Sequence, residues 1–464
     1  MTDLQLPPGM AALRGELGDI VAGIERRAPY AAVWLSSRQG LTISVDNQEE
    51  RVDERPPAAG TVLTAFDGVA LHERAVGSFD RTPVEKGALG LAHDISVIAG
   101  PGIDPGPERR GDFATSMEIP PDTLSTLEKL DRCRDVQRRL RGLDPRIVNA
   151  RVTYQEISEY AVFRNRVADL GQRVQRVRLM VMAVVSDGNE VRYNWRSKDA
   201  TGGWEALAYT DGELRQVVDE AIALLTAERI APGEYTIIAA PIVVGTIVHE
   251  SFGHGVETDM FLKERARAAR YLDKVVGSPL VNIWEDPSYP AAFGSYFFDD
   301  EGMLTAPTQI VENGIFRRGI TDLYSATMLG IPRSANGRRQ DYSRKAYARM
   351  STTAFARGAT PVADLFAQVE DGIYLEKWSS GMEDPQGWGI QVTCHFGHEV
   401  KHGRVTGRMF APVGITGYLP DVLASITAVG DDWDMDGGNC GKGHKETVPV
   451  SSGGPHLLMK ARLG

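Results

Sequence analysis

YTIIAAPIVVGTIVHESFGHGVETD, residues 235–259, changes character after its sixth residue. YTIIAA is strand-like, and Pro241 then stands where the first turn of a helix tolerates a missing N–H. A helix from Pro241 carries His249, Glu250 and His254. Two histidines with a glutamate beside the first are the residue types that hold zinc and deprotonate its water. Their spacing is one residue longer than in H-E-x-x-H. Positions i and i+4 differ by roughly 40° around a helix, but i and i+5 differ by about 140°. His249 and His254 therefore converge only if the helix widens or ends between them, as in a π-bulge, and Gly253 and Gly255 are placed to permit it. From spacing alone, a metal-free pair of histidines near a helix end remains the alternative, and a third ligand has to decide.

Outward from this stretch, Ala231-Pro232-Gly233 is a break suited to a domain boundary. The 464-residue chain exceeds the size of one ordinary core, so we divide it into residues 1–231 and 232–464. Before the break, residues 11–27 have helical spacing. Tyr30–Val45 is strand-like with a break at Gly40, which predicts a hairpin. A Pro- and Gly-rich loop at 99–111 precedes a helix from about Thr123 to Leu140, whose charges read as solvated. Strands follow at 147–164 and 174–195, the latter turning at Ser186-Asp187-Gly188-Asn189, so the sheet there is antiparallel. Leu214, Val217, Val218, Ala221, Leu224 and Leu225 share one helical face. After the break, many short apolar segments between Gly-containing turns predict a β-rich unit. The expected fold class is α+β: an N-terminal α/β domain with antiparallel strands and helices, then a C-terminal β-rich domain carrying the metal-binding helix.

Composition narrows the partners. A net charge of -11, with no stripe of Lys and Arg among aromatics, argues against nucleic acid. No apolar run is long enough to span a bilayer and the N-terminal stretch has no secretory pattern, so a membrane is not expected and the cytoplasm is the expected location. Three scattered cysteines, Cys133, Cys394 and Cys440, do not make a disulfide framework. Cys440 lies in the glycine-rich Gly437-Gly438-Asn439-Cys440-Gly441-Lys442-Gly443, where backbone can approach a neighbouring site closely, and a thiolate is a good zinc ligand. Taken alone, a buried structural cysteine is the competing reading.

Three motifs are decoys. His398-Glu399-Val400-Lys401-His402 is a literal H-E-x-x-H with Cys394 and His395 nearby, but its neighbours read as strand and hairpin turn. In a strand, i and i+4 lie roughly 13 Å apart, too far to chelate. Asp432-x-Asp434-x-Asp436-Gly437 imitates the start of an EF-hand, yet Gly443 occupies the position of the bidentate Glu. Asp436 to Gly443 likewise fails as a P-loop.

HESFGHGVETD resembles the HExxxHxxExD signature of the TldD/PmbA metallopeptidases. Other blocks agree in order: Asp299-Asp300-Glu301-Gly302, IVENGIF, Asn336-Gly337-Arg338-Arg339-Gln340, Arg349-Met350-Ser351-Thr352-Thr353, Val369 to Tyr374, and NCGKG with VPVSSGGP. The likeness covers the second half and, more weakly, YAAVWLSSRQGLTISVDNQEERV in the first. It implies His249, His254 and Cys440 as zinc ligands and Glu250 as the catalytic base. It also implies homodimers, or heterodimers with a metal-free relative, enclosing a chamber for unfolded or leader-type peptides. Two departures stand out. Thr352 replaces the family's Asn in R-M-T-N-T, and the Gln after C-G-K is missing, with His444 and Lys445 nearby.

On this reading, two imidazoles and a thiolate leave zinc one open position for water, and Glu250 moves the proton from that water to the leaving amine. The alternatives are a peptide-binding subunit with a structural metal, which would be closed by a fourth ligand such as His444 or His456, and a zinc amidase acting on a small molecule in a roofed pocket.

Overall fold

The computed structural model describes residues 4–443 and 446–464. Tyr30–Val45 is one continuous strand, not the hairpin that Gly40 suggested. It pairs along its length with Glu50–Phe66, and the register slips between Arg38 and Gly40 because the partner strand carries one extra residue there, at Pro56-Pro57, so Gly40 lies opposite a bulge and the chain reverses at residues 46–49. A glycine inside a strand pattern signals either event. The leading helix is likewise two pieces, Pro8–Arg14 and Leu17–Glu25.

The first sheet runs Leu71–Val76, Glu50–Phe66, Tyr30–Val45, Ile147–Asn165, Ala168–Ser186. Arg109–Ala114 then pairs parallel with the start of the last strand, and Val191–Thr201 pairs antiparallel with its end. Successive residues of a strand face opposite ways, and YAAVWL is buried on both faces. Ala31, Val33 and Leu35 pack under the first helices and Arg81–Asp94. Tyr30, Ala32 and Trp34 pack with Phe298 and Leu323 from the second half of the chain. The helix Thr126–Arg141 starts at Ser125, whose side chain and Glu128 form a capping box. One of its charges is not solvated: Lys129 is buried and meets Glu156 at 2.8 Å.

Gly233–Ala239 opens a second arrangement. Five strands, Gly233–Ala239, Leu457–Leu463, Val413–Tyr418, Gly389–Lys401 and Asp371–Glu383, close on themselves because Asp371–Glu383 also pairs parallel with Gly233–Ala239. A separate six-stranded sheet orders Ile315–Phe316, Thr308–Glu312, Ile283–Glu285, Thr352–Phe355, Glu446–Gly454 and, at its edge, Asp434–Lys442. The helix Pro241–Val248 is apolar almost all round and lies between barrel and sheet. Gly245 lets it approach closely, since a Cβ there would stand 2.6 Å from the Ser452 backbone. The architecture is thus mixed α+β, with helices gathered on the first sheet and strands dominating after residue 232.

Candidate metal centre

After Val248 the helix widens into a π turn over His249–Gly253, in which Phe252 leaves helical geometry at φ -96°, ψ 20°. The wide turn supplies the extra residue that i+5 spacing demands, and it brings the two imidazoles to 5.1 Å between ring centres, nearly perpendicular. Gly253 is needed for space: a Cβ there would run into the Met350 sulfur. Gly255 meets no such neighbour.

Cys440 arrives from the edge strand. Its Sγ lies 3.0 Å from His254 Nε2, and donor atoms of His249, His254 and Cys440 all fall within 4.8 Å of one another. A tetrahedral zinc with bonds of ~2.0–2.3 Å spaces its donors by roughly 3.3–3.8 Å. The Cys440–His254 pair is a few tenths of an ångström closer than that, the donor types and their convergence suit such an ion, and His249 Nδ1 is a buried nitrogen with no hydrogen-bond partner. The set is nearly sealed, with His249 9% and Cys440 4% exposed. Burial opposes ionisation of the Cys440 thiol, but the two imidazoles outweigh it and hold the thiol well below its ordinary range. Burial similarly works against the His254 cation, and Glu257 and the Cys440 sulfur reverse it.

Glu250 points into the adjoining cleft of about 370 Å³, which Trp378, Glu383, Asp436 and Gly437–Gly441 also line. Burial pushes its carboxyl up to about 7, against the pull of His249 and with the help of nearby Glu383.

Several supporting residues carry no role in the sequence reading. Glu257 Oε2 lies 3.3 Å from His254 Nδ1 and 3.0 Å from Lys442 Nζ. A carboxylate on Nδ1 fixes the ring so that Nε2 presents its lone pair. Lys442 also meets Asp259 at 2.7 Å, and Arg349 Nη2 donates to the Cys440 carbonyl at 2.6 Å. Glu257 and Asp259 stand inside the HExxxHxxExD block, and Lys442 stands next to the Cys440 loop, so proximity to the motif was the available signal.

The decoys fall elsewhere. His398 is on the Gly389–Lys401 strand against Glu376 at 3.3 Å, while His402 is exposed at the turn that follows. Cys394 is buried, and burial pushes its thiol up to about 12. Asp434 and Asp436 lie on the edge strand, not in a cation-binding loop. His456 is held by Asp432 at 2.7 Å and faces Tyr374, so it is not brought to the donor set. His444 and Lys445 lie outside the described residues. Thr352 is fully buried beside Ser295 in the network around Glu285, not in the cleft.

A mixed α+β fold holding a buried His–His–Cys donor set with a glutamate alongside defines a candidate metalloprotein. Residues 232–462 match the PmbA/TldA metallopeptidase C-terminal domain and residues 119–228 match its central domain. The chain belongs to the TldD/PmbA family of metallopeptidases. It is similar to a metalloprotease of Synechocystis sp., 27% identical over 97% of this chain and 98% of that protein. A zinc metalloprotease TldD homolog of Saccharolobus solfataricus is 33% identical over 49% of this chain and 51% of that protein. Among solved structures, TldE from Thermococcus kodakarensis superposes with a TM-score of 0.71 at 16% identity, covering 97% of this chain and all of that one. A Thermotoga maritima protein described as a modulator of a DNA gyrase gives 0.79 at 18% identity over 97% of this chain and 100% of that one. At such identities the likeness concerns the fold.

Proposed function

We propose that the chain is a zinc-dependent peptidase that hydrolyses unfolded or leader-type peptides bound in extended form. The observation that carries this reading is the convergence of His249, His254 and Cys440 beside Glu250 in one cleft. Zinc held by these three side chains would supply Lewis acidity, lowering the pKa of a water toward ~7 and polarising the scissile carbonyl. Glu250 takes a proton from the attacking water and returns it to the leaving amine. Glu257 keeps His254 oriented, and Lys442 keeps Glu257 charged.

The extended binding mode is supported by the edge strand. Asp434–Lys442 pairs on one side with Glu446–Gly454 and, among the described residues, with no strand on the other. Its Gly437–Gly441 portion lines the cleft. A peptide that adds a strand there gains backbone hydrogen bonds regardless of sequence. A folded domain keeps those groups paired internally.

We further infer a division into residues 1–231 and 232–464, a cytoplasmic location, and assembly as a homodimer or as a heterodimer with a metal-free relative. TldE as a structural neighbour supports the last. No helix among the described residues is long and apolar enough to cross a membrane. The test is peptidase profiling on a peptide mixture, with and without chelator, together with one polypeptide offered as a stable domain and as a destabilised variant with the same sequence at the cut. Chelator-sensitive cleavage of the destabilised form alone is expected. Chelator-insensitive cleavage contradicts the metal chemistry, and equal rates on both forms contradict strand addition.

A further inference from the structure

Among the described residues, the cleft beside the His–His–Cys donor set is lined by three carboxylates, Glu250, Glu383 and Asp436, and by no lysine or arginine. Among the described residues, none of the three has a Lys or Arg nitrogen within 4.0 Å. Glu250 has a task in the proposed chemistry. The other two do not, and they occupy separate places.

Glu383 ends the Asp371–Glu383 strand, where the barrel hairpin reaches over the cleft. One of its oxygens lies within 4.8 Å of a Glu250 oxygen and a His254 nitrogen. The hairpin comes this close because residue 381 is glycine: a Cβ there would stand 2.6 Å from Glu250 Cγ.

Asp436 is four residues before Cys440 on the edge strand, on the same face and roughly 13 Å away. It accepts a hydrogen bond from Trp378 Nε1 at 3.2 Å and abuts Asp199, whose side chain is 7% exposed. Asp199 is ion-paired with Arg178, whose Nε lies 3.8 Å away, and among the described residues no Lys or Arg pairs with Asp436 itself. Burial first, and the Asp199 charge after it, push the Asp436 carboxyl up to about 7, with Arg178 pulling the other way. Asp436 also borders a second cavity, but the cations lining that one are engaged elsewhere. Lys198 meets Glu213 at 2.8 Å, Lys377 donates to Asn194 at 2.9 Å, and Arg196 donates to Gln216 at 3.1 Å.

We propose that the cleft selects positively charged peptides, with Glu383 holding a cationic group beside the scissile bond and Asp436 with Asp199 holding a Lys or Arg about four residues along the bound strand. This inference rests on the peptidase reading and narrows its substrate class. Backbone pairing to the edge strand supplies general affinity, and the two acidic positions supply the preference. Two-residue alternation places every second side chain of the peptide on the acidic face.

The test uses the zinc-loaded protein and short unstructured peptides in which one lysine is walked along the sequence, each paired with an acetyl-lysine twin. The lysine form at the best position is expected to be cleaved with kcat/KM about tenfold above its twin, mostly through KM, the size of one good ion pair. Glu383→Gln and Asp436→Asn should each bring that ratio toward one at a different lysine position. A wild-type ratio of one at every position, or a ratio unchanged in both variants, overturns the proposal. If the wild type cleaves neither twin, the peptidase reading has failed. Binding of the same fluorescent twins to the Glu250→Gln protein then decides the inference: tighter binding of the lysine form supports it, and equal binding overturns it.

Discussion

Glu257 shows how the arrangement of the His–His–Cys donor set depends on residues outside it. One of its oxygens serves both His254 and Lys442, and Lys442 and His254 outweigh burial to hold the carboxyl down to about 2. Glu257→Gln keeps the shape but weakens the charge that orients the imidazole. Chelator competition should show zinc affinity reduced by about 10- to 100-fold in a protein with unchanged circular dichroism. Unchanged affinity would remove Glu257 from the site's support. Glu301 poses the opposite electrostatic case. Burial first, then Asp322 and Asp299, pushes its carboxyl from 4.5 up to about 8. The folded state thus favours the protonated form. The stability this contributes is complete below 4.5 and is lost as pH rises through about 8. Glu301→Gln stays neutral and can still accept from the Leu323 N–H, as Glu301 does at 2.6 Å. Its Tm should fall less than that of the wild type across this window, whereas parallel curves would contradict the assignment.

At the scale of elements, the wide turn and the barrel hairpin set the geometry. His249, Glu250 and His254 were legible because they are local: the i+5 spacing and Gly253 predict a widened helix, and the π turn is there. Cys440, 186 positions beyond His254, was only one glycine-loop cysteine until the family resemblance joined it to the histidines. Glu383 could not be found from sequence, because its placement depends on a barrel closed by one parallel pairing, which periodicity does not encode. Gly40 predicts a turn but sits mid-strand, because a strand glycine also marks close approach of another backbone: a Cβ there would stand 2.9 Å from the Glu156 carbonyl oxygen. The hairpin's approach has a testable requirement at Gly381. Gly381→Val would press on Glu250, and turnover should fall on the order of 10²-fold while zinc is retained. Loss of metal instead would mean that the hairpin supports the ligands. The strand carrying His398 makes a complementary case: His398→Ala with His402→Ala should leave zinc content unchanged, and a folded double variant without zinc would overturn the ligand assignment.

For the whole molecule, the division of labour follows from which surfaces the two sheets bury. The first sheet covers one face with its own helices and gives the other to Phe298 and Leu323, so the second half of the chain completes its packing. The barrel and the six-stranded sheet clasp the helix that leads into His249, while the edge strand brings in Cys440. That composition, α with antiparallel β first and β-rich later, was readable from alternation and turn residues, whereas the order of strands was not. We propose that this clasp builds a three-ligand zinc site whose water is deprotonated by Glu250. The most direct measurement compares zinc content and turnover in the wild type and Glu250→Gln. About one zinc per chain is expected in both, with turnover lower by roughly 10²- to 10⁴-fold in the variant, the usual range for losing a general base. Full activity in Glu250→Gln, with its zinc in place, would contradict it.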